Sequence, residues 1–201
     1  MTILFSDIRS FTSLSESMTP EENFKFINSY LKRVGPEIRN NNGFIDKYIG
    51  DAIMALFPQK VDDALNAAIS ISMRYKLIEY NQHRKNSNYR PIDIGIGIHD
   101  RKLMLGTVGE EKRMEGTVIS DAVNLASRLE GLTKLYGVGI IISNYSLERV
   151  ENKEKYLYRF LDKVCVKGKS TPVEIYEIYN ADDDKQKKLK WEQAIEFSKC
   201  L

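Results

Sequence analysis

The chain has 201 residues, of which 30 are basic and 28 acidic, and its formal net charge is +2. A hydrophobic fraction of 42% with 29% charged residues predicts one folded domain with an appendage, and this balance of charge predicts no nucleic-acid-binding surface. Cys165 and Cys200 lie in unrelated settings, which favours a reducing cytoplasmic location without disulfides or structural zinc. No stretch approaches the roughly 18 apolar residues of a membrane span, and we expect no signal peptide.

The first elements in chain order are predicted to be a strand and a long helix. The apolar run at 2–7 predicts a buried strand. Thr19-Pro20-Glu21-Glu22 is a capping box with proline at the first helical position. Apolar residues at three- and four-residue spacing carry this helix to Asn41-Asn42-Gly43, which stops it.

A hairpin and a second helix are predicted next. Two short apolar runs at 44–49 and 52–57 flank Gly50-Asp51 and predict a tight hairpin with Asp51 at its tip. Asp62 is positioned to cap a helix that continues to about residue 84.

The second half of the chain is predicted to be richer in strands. Isoleucines alternate with aspartate and glycine from 92 to 98, which predicts a strand that another backbone approaches closely, and 103–108 is predicted to be its hairpin partner. After a polar loop at 109–117 we expect a helix at 120–136, a strand at 138–142, a short helix at 144–150 and strands at 157–166 and 173–179. Helices alternating with strand pairs predict an α+β sheet with the helices on one face.

The two ends of the chain lead to further expectations. Acidic, then basic, then apolar residues from 182 onward predict an appended amphipathic helix. Since the first strand starts at residue 2, we expect the chain to be a catalytic domain taken from a longer protein, with any regulatory domain outside it.

Two aspartates stand where a domain usually buries apolar side chains. Asp7 ends the run Ile3-Leu4-Phe5, and Asp51 lies between two apolar strands. A charge at such a position is costly unless it is paired, and two converging carboxylates suit Mg²⁺ or Mn²⁺. Taken singly, each has an ordinary interpretation, Asp7 as a strand-end carboxylate and Asp51 as a turn residue.

Short phosphate-binding patterns are present but incomplete. Gly168-Lys169-Ser170 would place the first glycine of a P-loop at Lys163, and a strand rather than a helix follows. Gly95-Ile96-Gly97 has Asp100 where a dinucleotide fingerprint needs glycine. Neither nucleotide-binding fold is therefore predicted.

Other polar residues have both a structural and a functional interpretation. Asn124 and Arg128 share a helix face and would ordinarily be solvated, yet an amide beside a permanent guanidinium suits a ribose oxygen and a phosphate that gains charge. Lys47 would ordinarily be a solvated strand lysine. His83 and His99 lie apart from any nucleophile pattern, and we interpret both as structural.

Several motifs together resemble the class III nucleotidyl cyclase catalytic domain. They are Phe5-Ser6-Asp7-Ile8 with Phe11-Thr12, the segment from Phe44 to Ala52, Gly116-Thr117-Val118-Ile119, the segment from Val123 to Arg128, and Val166-Lys167-Gly168-Lys169. Their order over about residues 1–179 is more specific than any one motif. The resemblance implies a ferredoxin-like βαββαβ core with additional strands and helices, a head-to-tail homodimer, and a division into a catalytic domain at 1–180 and a helical extension at 181–201.

The resemblance also implies an adenylyl cyclase site built from two subunits. One subunit would supply Asp7, Asp51 and the Ile8 carbonyl as ligands of two Mg²⁺ or Mn²⁺ ions, with backbone amides near Phe11 and Thr12 holding the terminal phosphates of ATP. The other subunit would supply Lys47 and Thr117 to recognise adenine, Asn124 to orient the ribose, Arg128 to stabilise the transition state, Lys167 to hold the triphosphate, and Arg113 or Lys112 near the phosphates.

The implied reaction is in-line attack of the ribose 3′ hydroxyl on the α-phosphorus, which forms 3′,5′-cyclic AMP and expels pyrophosphate. Lys47 favours ATP because a lysine donates to adenine N1, whereas guanine presents an N1–H. Thr117 stands where aspartate is commoner and is similar to a bacterial subgroup in which some members respond to bicarbonate. A bicarbonate effector is therefore a hypothesis for this chain.

Three other functions are alternatives to this one. A diguanylate cyclase would carry a Gly-Gly-Asp/Glu-Glu-Phe pattern, which 49–53 lacks. A guanylyl cyclase stays open, because two positions decide the base and Thr117 is unusual. A silent nucleotide-binding or dimerisation module predicts the loss of a metal-binding or transition-state residue, and none is missing.

Overall fold

The computed structural model describes residues 1–72, 81–82, 91–103, 105–110, 113–118, 121–165 and 172–199. In chain order, the elements within these ranges are β1 (Thr2–Ile8), α1 (Phe11–Ser15), α2 (Pro20–Asn40), β2 (Phe44–Ile49), β3 (Ala52–Phe57), α3 (Val61–Ser72), β4 (Ile94–Asp100), β5 (Leu105–Glu110), β6 (Arg113–Val118), α4 (Asp121–Tyr136), β7 (Ile140–Ser143), α5 (Asn144–Leu147), a 3₁₀ turn (Lys153–Lys155), β8 (Tyr158–Val164), β9 (Val173–Ile178) and α6 (Asp184–Lys199). None of the helices in this part of the chain is long and apolar enough to cross a membrane.

A seven-stranded mixed sheet organises the chain, with strand order β2-β3-β1-β4-β7-β9-β8. Only the pairing of β4 with β7 is parallel among its described ladders. The first four strands with α2 and α3 form the βαββαβ unit, and the other strands extend it beyond β4. The expected ferredoxin-like α+β core is therefore confirmed.

The start of α2 follows the predicted capping chemistry. The Thr19 hydroxyl accepts a hydrogen bond from the Glu22 amide at 3.3 Å, and the Glu22 carboxylate accepts one from the Thr19 amide at 2.8 Å. These two bonds satisfy amides that the first turn leaves without helical partners. Asn42, in the left-handed region at φ 59°, lies just after the helix end.

Helices cover both faces of the sheet, so the expectation of helices on one face is wrong. Leu4 and Ile8 of β1 pack into the large cluster that includes residues of α2 and α3, whereas Ile3 and Phe5 pack against α4. Successive strand residues point to opposite faces. Because β1 is apolar and buried on both faces, it needs cover on both, and α4 supplies the second layer.

The second layer lies unusually close to the sheet. A Cβ atom at Gly97 would lie 2.2 Å from the Glu130 amide nitrogen and 2.3 Å from the Ala126 carbonyl oxygen, and one at Gly95 would lie 2.2 Å from Thr133 Oγ1. Helix α4 therefore rests on the backbone of β4 where these glycines lack side chains. This confirms the close backbone approach that the alternating glycines predict.

The pairing of β5 differs from the prediction. We expected 103–108 to pair with β4, but β5 pairs with β6 in a separate two-stranded sheet, in register from Leu105 with Val118 to Glu110 with Arg113. Both edges of β4 are already occupied by β1 and β7. The segment expected to be a polar loop at 109–117 is consequently mostly strand. The predicted helix to about residue 84 is described only over α3 and at 81–82.

The C-terminal helix α6 is present as predicted, but ion pairs attach it to the sheet. Lys190 pairs with Glu177 of β9 at 2.5 Å and with Asp182. Glu177, only 1% exposed, also accepts from Arg159 at 2.6 Å, and Arg159 donates in turn to Gln193 of α6. The large apolar side chains Leu189, Trp191 and Ile195 are exposed instead of packed on the sheet.

The contact between α4 and β4 predicts the effect of adding one methyl group. We expect Gly97→Ala to lower the free energy of unfolding by about 1–3 kcal/mol, because the clash is with backbone atoms that cannot rotate away. Gly131→Ala, on α4 itself, is the control, since a Cβ there meets nothing within 4 Å. It should be neutral or stabilise the helix by up to about 1 kcal/mol. Equal urea midpoints for Gly97→Ala and wild type would contradict the close packing.

Candidate active site

The sheet brings the two predicted aspartates to the same end. Antiparallel pairing of β1 with β3 sets Ser6 opposite Ile53, so residues 7–8 meet the turn that precedes β3. Gly50 occupies that turn in the left-handed region at φ 64°, a conformation that a side chain would strain. The hairpin prediction with Asp51 at its tip is therefore confirmed.

One backbone amide joins the two carboxylates. The Ile8 amide donates to Asp7 Oδ1 at 2.9 Å and to Asp51 Oδ2 at 3.2 Å. Burial, followed by the hydrogen bond and the charge of Asp7, raises the pKa of Asp51 to about 7. Without a cation, Asp51 is therefore about half protonated at pH 7.

This donor set fits a divalent metal ion. Within the described ranges, no lysine or arginine nitrogen lies within 4.0 Å of either carboxylate. The same ranges contain no group of three or more His, Cys, Asp or Glu side chains arranged to hold a metal. Two carboxylates and a nearby carbonyl suit Mg²⁺, which usually keeps waters and takes further oxygens from a substrate phosphate.

The pairing of β2 with β3 places Lys47 on the same face of the sheet as Asp7, next to a β-bulge. Ile45 pairs with Ala55, and the next pair joins Lys47 with Met54. Asp46 is therefore an extra residue of β2 between these two pairs. Met54 packs on the α4 face with Phe5, and Asp7 follows Phe5 by two residues on that face. Lys47 Nζ lies 3.5 Å from Asp46 Oδ2.

Helix α1 starts three residues after Ile8. Ser10 precedes it in the left-handed region at φ 56°, and Phe11 and Thr12 form its first turn. The first amides of a helix lack helical acceptors. The Phe11 ring stacks on Phe26 of α2 with centroids 6.1 Å apart, which fixes this turn against the core.

Asn124 and Arg128 lie on α4, away from its buried stripe of Ala122, Leu125, Ala126 and Leu129. No hydrogen bond or ion pair of the described chain joins either residue to Asp7 or Asp51. One copy of the chain thus assembles the carboxylate pair but does not link it directly to the amide and guanidinium.

The remaining predicted residues are only partly described. Thr117 and Arg113 lie in β6, opposite Gly106 and Glu110, and only their backbone is described. Lys167 and Lys112 lie outside the described residues, and so does His83.

The structural interpretation of His99 agrees with its environment. His99 is fully buried, and its Nδ1 lies 2.8 Å from Ser143 Oγ. Asp7 pairs with Gly95, so His99 lies toward the opposite end of β4 from the carboxylates.

Two charged residues near the carboxylates were missed by the sequence reasoning. Glu130 is half-buried on α4, and burial, followed by the charge of Asp7, raises its pKa to about 7, while Arg9 acts in the opposite direction. Arg9 follows Asp7 by two residues and reaches the end of α4. The sequence feature that could have identified Glu130 is its position on α4 between Ala126 and Thr133, on the side of the helix that faces Gly95 and Gly97.

Known proteins share this architecture. The family model described as "Adenylate and Guanylate cyclase catalytic domain" matches residues 1–180. An adenylate cyclase of Anabaena cylindrica is 48% identical over 184 residues, which cover 89% of this chain and 36% of that protein. The terminal-differentiation specific adenylate cyclase of Dictyostelium discoideum is 40% identical, over 94% of this chain and 9% of that protein. The chain thus spans about a third or less of these relatives.

Two solved structures resemble nearly the whole chain. The guanylyl cyclase Cya2 is 34% identical with a TM-score of 0.76, over 91% of this chain and 93% of that one. The adenylyl cyclase CyaB from P. aeruginosa is 32% identical with a TM-score of 0.76, over 91% of this chain and 95% of that one. The chain therefore belongs to the family of adenylate and guanylate cyclase catalytic domains.

Proposed function

We propose that this domain is an adenylyl cyclase, which converts ATP to 3′,5′-cyclic AMP and pyrophosphate. The convergence of Asp7 and Asp51 on the Ile8 amide carries the proposal, since a paired carboxylate site on this family's fold suits a metal-bound nucleotide. The adenylate cyclase names of relatives at 48% and 40% identity support ATP as the substrate. We divide the chain into this catalytic domain at 1–180 and a helical extension at 181–201.

Catalytic domains of this family depend on metal. For this chain, Asp7, Asp51 and the Ile8 carbonyl would hold two Mg²⁺ or Mn²⁺ ions. When bound, the metal acidifies the 3′ hydroxyl and neutralises phosphate charge. The raised pKa of Asp51 supports this assignment, because a divalent cation relieves the repulsion that otherwise retains a proton.

The remaining roles divide between base, ribose and phosphate. Lys47 donates to adenine N1 beside Thr117, Asn124 orients the ribose, and Arg128 stabilises charge at the α-phosphate. Further contacts to the triphosphate come from Lys167, Arg113 and the amides near Phe11 and Thr12. Lys47 lies on the sheet face that α4 covers, and α4 carries Asn124 and Arg128, which supports a place for Lys47 in the half-site formed by these residues.

These groups form complete sites in a head-to-tail homodimer. Asn124 and Arg128 lie away from the buried stripe of their own helix, which supports their place in a site shared with a second copy. The edge strand β2 exposes the apolar side chains of Phe44, Tyr48 and Ile49, which another chain could cover. A regulatory domain attached outside this segment and bicarbonate as an effector also belong to the proposal.

A guanylyl cyclase is the second candidate. The similarity to guanylyl cyclase Cya2, at 34% identity, is comparable with that to adenylyl cyclase CyaB. Turnover of ATP and GTP under the same conditions distinguishes the two activities.

A mixing experiment tests the shared sites. Asp7→Ala and Asn124→Ala proteins should each be inactive, because each lacks one half of both sites. Random pairing at equal amounts makes half of the dimers mixed, with one intact site each, so activity should return to about a quarter of the wild-type value. The measurement is cyclic AMP formed from Mn-ATP. Absence of activity although mixed dimers form would sink the shared-site model.

Replacing Lys47 tests base recognition. Lys47→Gln removes a charged donor, and we expect kcat/KM for ATP to fall about 10- to 100-fold. Lys25→Gln is the control, because Lys25 is an exposed helix lysine paired with Glu21. If the two variants have equal kcat/KM, Lys47 does not read the base.

Metal affinity should depend on pH through Asp51. Its pKa of about 7 means that a proton competes with the metal below neutrality, so Mn²⁺ affinity should rise with pH up to about tenfold per unit and level off above pH 7. Calorimetric titration with Mn²⁺ from pH 6 to 8 measures this. Asp51→Asn should bind weakly without that slope, and a wild-type affinity independent of pH would refute proton competition.

A further inference from the structure

Arg9 connects the metal-binding strand with the helix that carries Asn124 and Arg128. Its guanidinium Nη2 donates to the carbonyl oxygen of Val138 and, at 3.4 Å, to that of Thr133. Its Nε lies 3.4 Å from Asp93 Oδ2, and its amide donates to the Asp93 carbonyl at 2.8 Å. The side chain is only 21% exposed.

Of the carbonyls that Arg9 contacts, that of Thr133 belongs to the last turn of α4, and that of Val138 lies in the segment directly after the helix. The helix ends at Tyr136, Gly137 follows in the left-handed region at φ 65°, and the Val138 amide donates back to Thr133 at 3.0 Å. The last carbonyls of a helix lack helical donors and carry partial negative charge. A permanently charged, planar guanidinium with several donors suits this end. Arg9 therefore holds the end of α4 from a different element of the fold.

The position of this helix end determines where Arg128 lies. Thr133 follows Arg128 by five residues, or about 7.5 Å along the axis. Gly95 and Gly97 of β4 let the middle of α4 contact the strand backbone, but they have no side chains that could form hydrogen bonds with the helix. The hydrogen bonds from Arg9 supply a polar attachment close to the functional face.

In the shared-site dimer, these two halves of one chain serve different sites. This inference rests on the proposed function: Asp7 holds metal in one site, whereas Asn124 and Arg128 of the same chain complete the other. We propose that Arg9 is a positioning residue that couples the two sites of the dimer, because one side chain fixes the metal-binding end of β1 to the helix that completes the second site.

A mixed dimer with one intact site distinguishes the effect of Arg9 on the metal-binding half of a site from its effect on the half that α4 supplies. Asp7→Ala and Asn124→Ala chains with different affinity tags are co-expressed and purified as the mixed dimer. In its one intact site, the Asn124→Ala chain supplies the metal half and the Asp7→Ala chain supplies the helix half. Arg9→Met is then introduced into one chain or the other, and kcat and the Mn²⁺ half-saturation are measured.

We expect both placements to matter, in different ways. In the chain that supplies the helix half, Arg9→Met should lower kcat about 5- to 20-fold with unchanged Mn²⁺ half-saturation, because the transition-state groups are displaced. In the chain that supplies the metal half, it should raise the Mn²⁺ half-saturation about threefold or more. Arg9→Lys, which keeps the charge but has fewer directed donors, should restore part of each loss.

Arg159→Met is the matched control. The Arg159 side chain is also 21% exposed and pairs with buried Glu177, but it attaches α6 rather than α4. It should lower the thermal midpoint without a kinetic effect that depends on placement. If Arg9→Met does not fold, Arg9→Lys decides the question with the same two placements.

The outcomes distinguish the coupling by Arg9 from the shared-site model on which it rests. An inactive parent mixed dimer refutes the shared site, and the coupling with it. An active parent whose kcat is insensitive to the Arg9 change in the helix-supplying chain refutes the coupling alone.

Discussion

The candidate site depends on two carboxylates held together against their mutual repulsion. Partial burial in the folded chain makes the contact of Asp7 with Asp51 unfavourable when both are charged. The cooperative pairing of β1 with β3 and the positive φ of Gly50 impose the contact, and the Ile8 amide offsets part of its cost by donating to both. The core therefore stabilises an arrangement that a divalent cation is suited to complete.

The second constraint is the short distance between helix α4 and strand β4. Gly95 and Gly97 remove the side chains that would otherwise separate α4 from β4, so the helix rests on the strand next to β1. This closeness brings Glu130 under the influence of Asp7 and allows Arg9 to reach the helix end. The charged groups around the carboxylates thus follow from packing between backbones.

Local signals predicted much of the fold, and nonlocal choices were harder to anticipate. The Thr19 capping box, the hairpin tip at Asp51 and the bounds of α4 all depend on neighbouring residues, and the structure agrees with each. The choice of β6 rather than β4 as the partner of β5, and the face covered by α4, depend on which edges and surfaces other elements have already occupied. The environment of Glu130 could not be predicted for the same reason, because the position of Glu130 in the helix pattern does not show which strand packs beside it. The motifs identified the candidate site residues more readily than their surroundings.

The bulge at Asp46 has a consequence for how the site can diverge. It lies in β2, at the edge of the sheet, where a changed residue count disturbs few neighbours. Asp7 instead lies in β1, which is paired on both sides, where the same change would move side chains of this buried strand to the opposite face. Loss of the extra residue would leave Lys47 opposite Met54, because the pairs from Lys47 to the hairpin turn set its register, and it would leave the carboxylate pair in place. In this fold, the strand that carries Lys47 therefore tolerates a change in residue count that the strand that carries Asp7 does not.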